Sequence, residues 1–159
     1  MISPQYPRPM LRAILQAWRL REDERAVPEE ALAHVDELYR IALFLLGNRG
    51  AAARAVEKAY TRFRDESSRR WQVDTLRVDL LRALLAEMET IRCFSSYSGI
   101  DDSDAPLIAC LSCLPWALRV IVILDVTGLK VEEVAAATGL PPAAVRHRQS
   151  AAWNSLLSE

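Results

Sequence analysis

Apolar residues recur three and four positions apart along nearly the whole chain, the spacing that places them on one face of an α-helix. The N-terminal half contains four such segments, at about residues 11–18, 28–47, 51–64 and 73–92. The first carries an apolar stripe of Leu11, Ile14, Leu15 and Trp18. Helices of this kind bury their apolar faces against one another. The pattern therefore predicts an N-terminal helical bundle.

The segment 95–106, SSYSGIDDSDAP, breaks this pattern. It is rich in Ser and Asp, lacks apolar periodicity and carries three acidic residues. Such a composition is typical of a linker. We therefore expect an all-α protein of two small helical domains, residues 1–94 with an N-terminal extension and residues 107–159.

The run RVIVILDV at residues 119–126 contains β-branched residues that favour a strand. A strand needs a partner, and no other segment of the sequence has strand character. We therefore predict a buried helix that Gly128 ends, with Pro115 in its first turn. A short helix at residues 107–114 is expected to precede it.

Residues 130–157 predict a helix-turn-helix. Gly139 follows an apolar helical segment, where a tight turn requires a positive φ that glycine adopts at little cost. Pro142 suits the first turn of the next helix. That helix has an inward stripe of Val145, Gln149, Ala152 and Leu156, on which the glutamine is unusual.

Arg146, His147 and Ser150 fall outside this stripe, so they are expected to face solvent or a DNA major groove. A helix, a glycine turn and a second helix also occur in proteins that never touch DNA. The periodicity alone leaves DNA binding and a compact packing module equally open.

Charge limits the kind of DNA contact. The formal net charge of the chain is −1, and residues 107–159 carry four basic and four acidic side chains. This balance excludes the global positive field of a protein that coats nucleic acid. Any DNA contact should be local, weak in isolation and sensitive to salt.

No apolar run approaches the roughly 20 residues that cross a bilayer, and the first residues lack the apolar stretch of a signal peptide. We therefore expect a cytoplasmic protein without a membrane partner.

Cys110 and Cys113 have the spacing of half a zinc site or a redox pair, but no second pair or histidine cluster accompanies them. We interpret these cysteines and Cys93 as buried, small apolar residues. No catalytic arrangement and no glycine-rich phosphate loop stands out. The sequence therefore predicts no metal, cofactor, small-molecule substrate or enzymatic activity.

The order of motifs in the C-terminal half resembles bacterial RNA polymerase sigma factors of the extracytoplasmic-function type. The matching positions are Leu114-Pro115, Arg119, the apolar run to Leu124, Gly128-Leu129, Glu133-Val134-Ala135, Gly139-Leu140, Val145, Arg146 and Arg148. Residues 34–63 are also similar to the sigma segment that docks on RNA polymerase. The resemblance covers residues 32–157 and implies a factor that binds RNA polymerase core and promoter DNA to direct transcription initiation.

The resemblance also implies two sets of site residues. The expected DNA-binding residues are Lys130, Pro142, Arg146, His147, Arg148 and Ser150. The expected polymerase- or partner-binding residues are Tyr39, Arg40, Arg54, Glu57, Lys58 and Arg62.

Several positions depart from the family pattern. On the docking helix the family has an acidic pair, a Gln and a Glu, where this chain has Ala53, Arg54, Glu57 and Lys58. On the DNA-binding helix Ala151 and Trp153 replace two arginines. The helix at 73–92 also lacks the basic and aromatic residues that open the promoter. These differences favour an alternative, a sigma mimic or adaptor that binds an anti-sigma factor or another regulator without reading DNA.

Overall fold

The computed structural model describes residues 29–66, 72–91 and 105–158. These parts are helical and contain no strand, which confirms the all-α prediction. The helices are α1 (Glu29–Leu32), α2 (Val35–Leu46), α3 (Arg49–Glu66), α4 (Val73–Ile91), α5 (Ala105–Ser112), α6 (Trp116–Val126), α7 (Val131–Thr138) and α8 (Pro142–Leu157). The predicted helix at 11–18, Cys93, and the predicted linker up to residue 104 lie outside the described residues. Ala105 and Pro106, the last two linker positions, begin α5.

The single helix predicted from residue 28 to residue 47 is two helices, α1 and α2, with a break at Ala33 and His34. The carbonyl of Ala31 accepts a hydrogen bond from the phenol of Tyr60 and a second from the backbone N–H of His34. This carbonyl is therefore drawn into a turn instead of the regular i→i+4 ladder. The predicted end of α2 is confirmed, because Gly47 has a left-handed φ of 62° and its N–H reaches the carbonyl of Leu43 at 2.8 Å.

Helices α2, α3 and α4 form the N-terminal core. Their apolar faces meet at helical spacing, and α3 contacts both of its neighbours. The fully buried side chains at the centre are Leu38, Ile41, Tyr60, Leu80, Leu84 and Met88. Asn48 caps α3, since its side-chain oxygen accepts a hydrogen bond from the N–H of Ala51 at 2.8 Å.

The β-branched run at residues 119–126 is helical, as predicted. Five consecutive residues of α6, Val120 to Leu124, are buried, because α6 packs against α8 on one side and against α2 and α7 on others. Burial around the whole circumference overrides the strand propensity of these residues. The helix ends at Val126, and Gly128 follows with a φ of 87°.

The two halves of the chain are packed together through α4 and α7. Arg77 of α4 forms ion pairs with Glu37 of α2 and, at 3.6 Å, with Glu133 of α7. Arg82 donates two hydrogen bonds to the backbone carbonyl of Ala136, at 2.7 and 3.3 Å. Apart from Ile108, the buried apolar residues of both halves belong to one hydrophobic cluster. The boundaries of the two predicted domains stay a prediction.

The prediction that the cysteines are buried is wrong for Cys110 and Cys113, which are free and exposed. Ile108 and Leu111 turn the other face of α5 toward the core, so Cys110 lies on the outer face. Cys113 follows the end of the helix, where its thiol donates to the carbonyl of Ala109 at 3.5 Å.

Candidate nucleic-acid interface

The first helix of the helix-turn-helix, α7, begins after Lys130. The lysine side chain makes no capping hydrogen bond, but the carboxylate of Glu133 accepts one from the Lys130 backbone N–H at 2.8 Å. Glu132 and Glu133 both lie in the first turn, where the helix dipole favours negative charge. Glu133 therefore fixes the start of α7 as well as meeting Arg77 of α4.

Gly139 ends α7 in the left-handed conformation that the sequence predicted. Its φ is 74°, and its N–H donates to the carbonyl of Ala135 at 2.9 Å. Pro141 then precedes the first turn of α8 and Pro142 occupies it, where no backbone donor is needed. The chain thus turns within three residues, and α8 packs against α7.

The inward face of α8 is held by both apolar and polar contacts. Val145 and Ala152 are fully buried. Asp125, near the end of α6, accepts hydrogen bonds from the Gln149 amide at 3.1 Å and from the Trp153 indole at 3.3 Å, one on each carboxylate oxygen. This pair of bonds explains the glutamine on the inward stripe, since its amide meets a carboxylate at the edge of the core.

The outward face of α8 presents Arg146, His147 and Ser150 to solvent, as their positions outside the apolar stripe predicted. Pro142 and Lys130 are exposed as well, at the starts of α8 and α7. The guanidinium of Arg146 lies 3.9 Å from the carboxylate of Glu132, and both side chains are more than 60% exposed. An exposed ion pair of this length contributes little energy, so it leaves Arg146 available to another anion.

Arg148 lies apart from the other expected DNA-binding residues. It is half-buried and lines a cleft of about 350 Å³ together with Arg82 of α4 and Trp116 of α6. Because residues two apart on a helix point in different directions, Arg146 and Arg148 cannot face the same groove squarely. The structure brings Arg146, His147 and Ser150 together on one face, with Arg148 at its flank.

Residues 104–152 match the family model for region 4 of sigma-70. The match covers 49 of the 159 residues and includes α5, α6, α7 and the greater part of α8. The similarity is to one region of the sigma-70 transcription factors and covers less than a third of the chain. It supports a DNA-binding, sigma-factor-like role for the helix-turn-helix. No curated protein and no solved structure shows significant similarity to the chain.

The expected partner-binding residues, which lie outside the region 4 match, are not all on one surface. Arg54, Lys58 and Arg62 are exposed along one row of α3, with Glu57 half-buried beside them. A hydrogen bond and the charge of Glu66, with a weaker contribution from Glu87, raise the pKa of Arg62, so this residue stays cationic. Arg40 is exposed on α2, where it lines a separate groove.

Tyr39 differs from the prediction, because only 3% of it is exposed. It follows Val35 by one helical turn on the buried face of α2, and this position places its ring in the core. Its side chain therefore cannot contact a docking partner without a rearrangement of α2.

Three residues that position the region 4 segment were not singled out from the sequence: Asp125, Arg77 and Arg82. The sequence pattern could have pointed to Asp125, because an acidic residue at the end of an apolar run predicts a polar partner nearby. That partner is Gln149. No local sequence pattern points to Arg77 or Arg82, because their partners in α7 lie 54 or more residues away along the chain.

Within the described residues, no group of three potential metal ligands is clustered. None of the described helices is long and apolar enough to cross a membrane.

Proposed function

We propose that this chain is a sigma-like transcription factor that binds RNA polymerase core through its N-terminal helices and promoter DNA through α8, and so directs transcription initiation in the cytoplasm. The observation that carries the proposal is the outward face of α8. Arg146, His147 and Ser150 are exposed together on a helix whose opposite face is fixed to α6 and α7, within a segment that matches sigma-70 region 4.

Each of these side chains has a chemistry suited to DNA. A guanidinium reads guanine O6 and N7 or binds phosphate, and a hydroxyl or an imidazole donates to a base edge or to phosphate. Pro142 at the start of α8 leaves the first turn open to the groove, as in other helix-turn-helix proteins whose recognition helix enters by its N-terminal end. Lys130 adds a phosphate contact where α7 begins.

Binding by the region 4 segment alone is expected to be weak. About two basic contacts, from Lys130 and Arg146, would give a slope of log K against log salt of roughly −2. The formal charge of the segment is zero, so it supplies no long-range attraction. The proposal therefore assigns stable promoter binding to the complex with polymerase core, which the exposed row of Arg54, Lys58 and Arg62 on α3 is proposed to contact.

The test is a pull-down with RNA polymerase core followed by run-off transcription from the promoter upstream of the gene. Retention on core and promoter-dependent transcripts are expected from the wild-type chain. Arg146→Ala should retain core binding and lower promoter affinity about 10-fold, the effect of one lost guanidinium contact. Arg64→Ala, an equal change of charge near the end of α3, is the matched control and should leave promoter affinity unchanged.

One observation favours the alternative of a sigma mimic. Glu132 places a carboxylate 3.9 Å from the guanidinium of Arg146, where a phosphate would approach. A chain that binds an anti-sigma factor or another regulator but neither core nor DNA would support this alternative and overturn the first proposal. Equal promoter affinity of the wild type and Arg146→Ala would also show that α8 does not read DNA.

A further inference from the structure

Cys110 and Cys113 are thiols that neither the proposed promoter contact nor the proposed polymerase contact uses. Both are free and exposed. They have the Cys-x-x-Cys spacing that recurs in dithiol redox sites, and no third potential metal ligand is clustered with them in the described part of the chain. Exposed thiols are open to small oxidants, whereas buried structural cysteines are inert. The pair is therefore a candidate for disulfide chemistry.

The backbone at the end of α5 brings the two cysteines together. The N–H of Cys113 donates to the carbonyl of Cys110 at 3.2 Å. The next N–H, that of Leu114, donates to the carbonyl of Leu111 at 3.1 Å. Two successive i→i+3 hydrogen bonds wind the chain as a 3₁₀ turn, in which side chains three positions apart eclipse each other. Such a turn keeps the Cα atoms of its first and last residues within about 7 Å, and a disulfide needs about 4.4–6.8 Å.

Arg119 of α6 holds this turn in place. Its guanidinium donates to the carbonyl of Ser112 at 2.9 Å and to the carbonyl of Leu114 at 3.0 Å. These two residues flank Cys113 in the sequence. The guanidinium also lies over the ring of Trp116, 5.9 Å from its centroid. Because both carbonyls are fixed, the backbone at Cys113 is ordered before a bond between the sulfurs forms, and little backbone entropy remains to be lost.

We propose that Cys110 and Cys113 form a reversible intramolecular disulfide, which makes the end of α5 a redox site. The oxidant is a small disulfide, RSSR, of the glutathione class. The thiolate of one cysteine attacks a sulfur of RSSR, forms a mixed disulfide and releases one RS⁻. The second cysteine thiolate then attacks the protein sulfur of that mixed disulfide, so the bond between the two cysteines forms and the second RS⁻ leaves. Two electrons pass from the cysteines to RSSR, and each released RS⁻ takes up one of the two protons that the cysteines lost.

The structural change that this disulfide requires is small. The Cys113 thiol donates to the carbonyl of Ala109 at 3.5 Å, a weak hydrogen bond that a rotation about the Cys113 χ1 angle breaks. The buried side chains of α5, Ile108 and Leu111, face the core and need not move. No residue of the outward face of α8 takes part in the bond. The inference therefore stands independently of promoter binding.

The test is an oxidation equilibrium on the full chain with Cys93→Ser, which leaves Cys110 and Cys113 as its thiols. The protein is equilibrated with reduced and oxidised glutathione, quenched with a maleimide reagent and examined by intact mass spectrometry. We expect a monomer that has lost two hydrogens and takes up no maleimide, and that dithiothreitol returns to the form that takes up two. If the main product is a glutathione mixed disulfide or a crosslinked dimer, the inference is overturned.

The matched control moves one thiol by a single residue. Cys113→Ser with Ser112→Cys, in the same Cys93→Ser background, keeps two thiols but places them two positions apart, where side chains of a helix do not face each other. Circular dichroism verifies that both proteins keep the helical fold. The equilibrium constant for intramolecular oxidation should be larger for the native pair by about tenfold or more, and this advantage should shrink in urea, which removes the turn. Equal constants for the two folded proteins would overturn the inference.

Discussion

Asp125 shows how one polar residue can determine the position of a whole helix, here α8. Its two carboxylate oxygens accept separate hydrogen bonds from Gln149 and Trp153, residues one helical turn apart on α8. Apolar packing of Val145 and Ala152 alone would permit small rotations of α8 about its axis. The two directional hydrogen bonds oppose such rotation. They therefore also fix the direction in which Arg146 points.

Asp125→Ala should therefore destabilise the protein by about 1–3 kcal/mol, since it removes two hydrogen bonds and leaves the half-buried Gln149 amide without this acceptor. Urea unfolding followed by circular dichroism measures the change. Asp65→Ala removes an exposed carboxylate and should change stability by less than about 0.5 kcal/mol. Equal effects of the two substitutions would contradict the role assigned to Asp125.

Tyr60 offers a residue-scale prediction that depends on pH. Its phenol is buried and donates to the Ala31 carbonyl. Burial, with the nearby charges of Asp36 and Glu37, raises the pKa of this phenol well above its ordinary value. A raised pKa in the folded state means that the contribution of the neutral phenol is present below the unfolded pKa of about 10 and is lost as pH rises further.

Tyr60→Phe should consequently cost about 1 kcal/mol at pH 7. The difference between wild type and variant should shrink as the pH rises above 10, because only the wild type must hold that phenol neutral. Urea titrations at pH 7, 9 and 11 measure this difference. A difference that is constant with pH would show that the phenol ionises freely in the folded protein.

At the scale of elements, the turn between α7 and α8 depends on glycine. The φ of Gly139 is 74°, and a Cβ added there would meet nothing within 4 Å. Any effect of a side chain at this position is thus backbone strain and not a clash. Gly50, the second residue of α3, has no positive φ, and a Cβ there would lie in ordinary contact, 3.4 Å from the Asn48 side-chain oxygen, so it is a suitable comparison.

Gly139→Ala should destabilise the protein by about 1–2 kcal/mol, the cost of the left-handed conformation for an L-residue. Gly50→Ala should stabilise it by up to about 1 kcal/mol, because alanine has the higher helix propensity. Thermal unfolding of both variants measures whether each substitution lowers or raises stability. Loss of stability in Gly50→Ala similar to that in Gly139→Ala would indicate a packing effect in place of backbone strain.

The elements that local sequence determines were predictable, and the ones that distant residues determine were not. Gly47, Gly139 and Pro142 gave correct helix ends and starts, because φ restrictions act within one residue. The break between α1 and α2 was missed, because its cause includes Tyr60, 29 residues beyond Ala31. The β-branched run of α6 was predictable as a helix only because the sequence offers no strand to pair with it.

The residues of the candidate site also fall into those that local sequence predicts and those that it does not. The outward positions of Arg146, His147 and Ser150 followed from the apolar stripe of α8. The flanking position of Arg148 and the burial of Tyr39 depend on how α4, α6 and α8 meet, and a single helical period does not contain that information.

At the scale of the whole molecule, Arg77 joins three helices from both halves of the chain. Its guanidinium pairs with Glu37 of α2 and Glu133 of α7, and these contacts, mainly the hydrogen bond with Glu37, raise its pKa. Because the buried residues of both halves form one cluster, we expect the chain to unfold in a single transition.

Arg77→Ala should lower the free energy of unfolding by about 1 kcal/mol, a value reduced by the partial exposure of the pair. Circular dichroism and tryptophan fluorescence should still report the same urea midpoint. The loss should be smaller in 1 M salt, which screens the charges in the wild type as well. Separate midpoints for the two signals would show that the halves unfold independently.

The junction between α4 and α7 has a consequence for the exchange of DNA-binding segments by recombination. Arg82 donates to the main-chain carbonyl of Ala136, so this hydrogen bond can form with any residue at position 136. Arg77 requires a carboxylate at position 133, and Glu133 also caps the helix that carries it. A foreign helix-turn-helix could therefore be grafted after α4 with its own groove-facing residues, provided that a glutamate is kept in the third position of its first helix. The outward face of the second helix could then vary while the contacts between α4 and α7 stay the same.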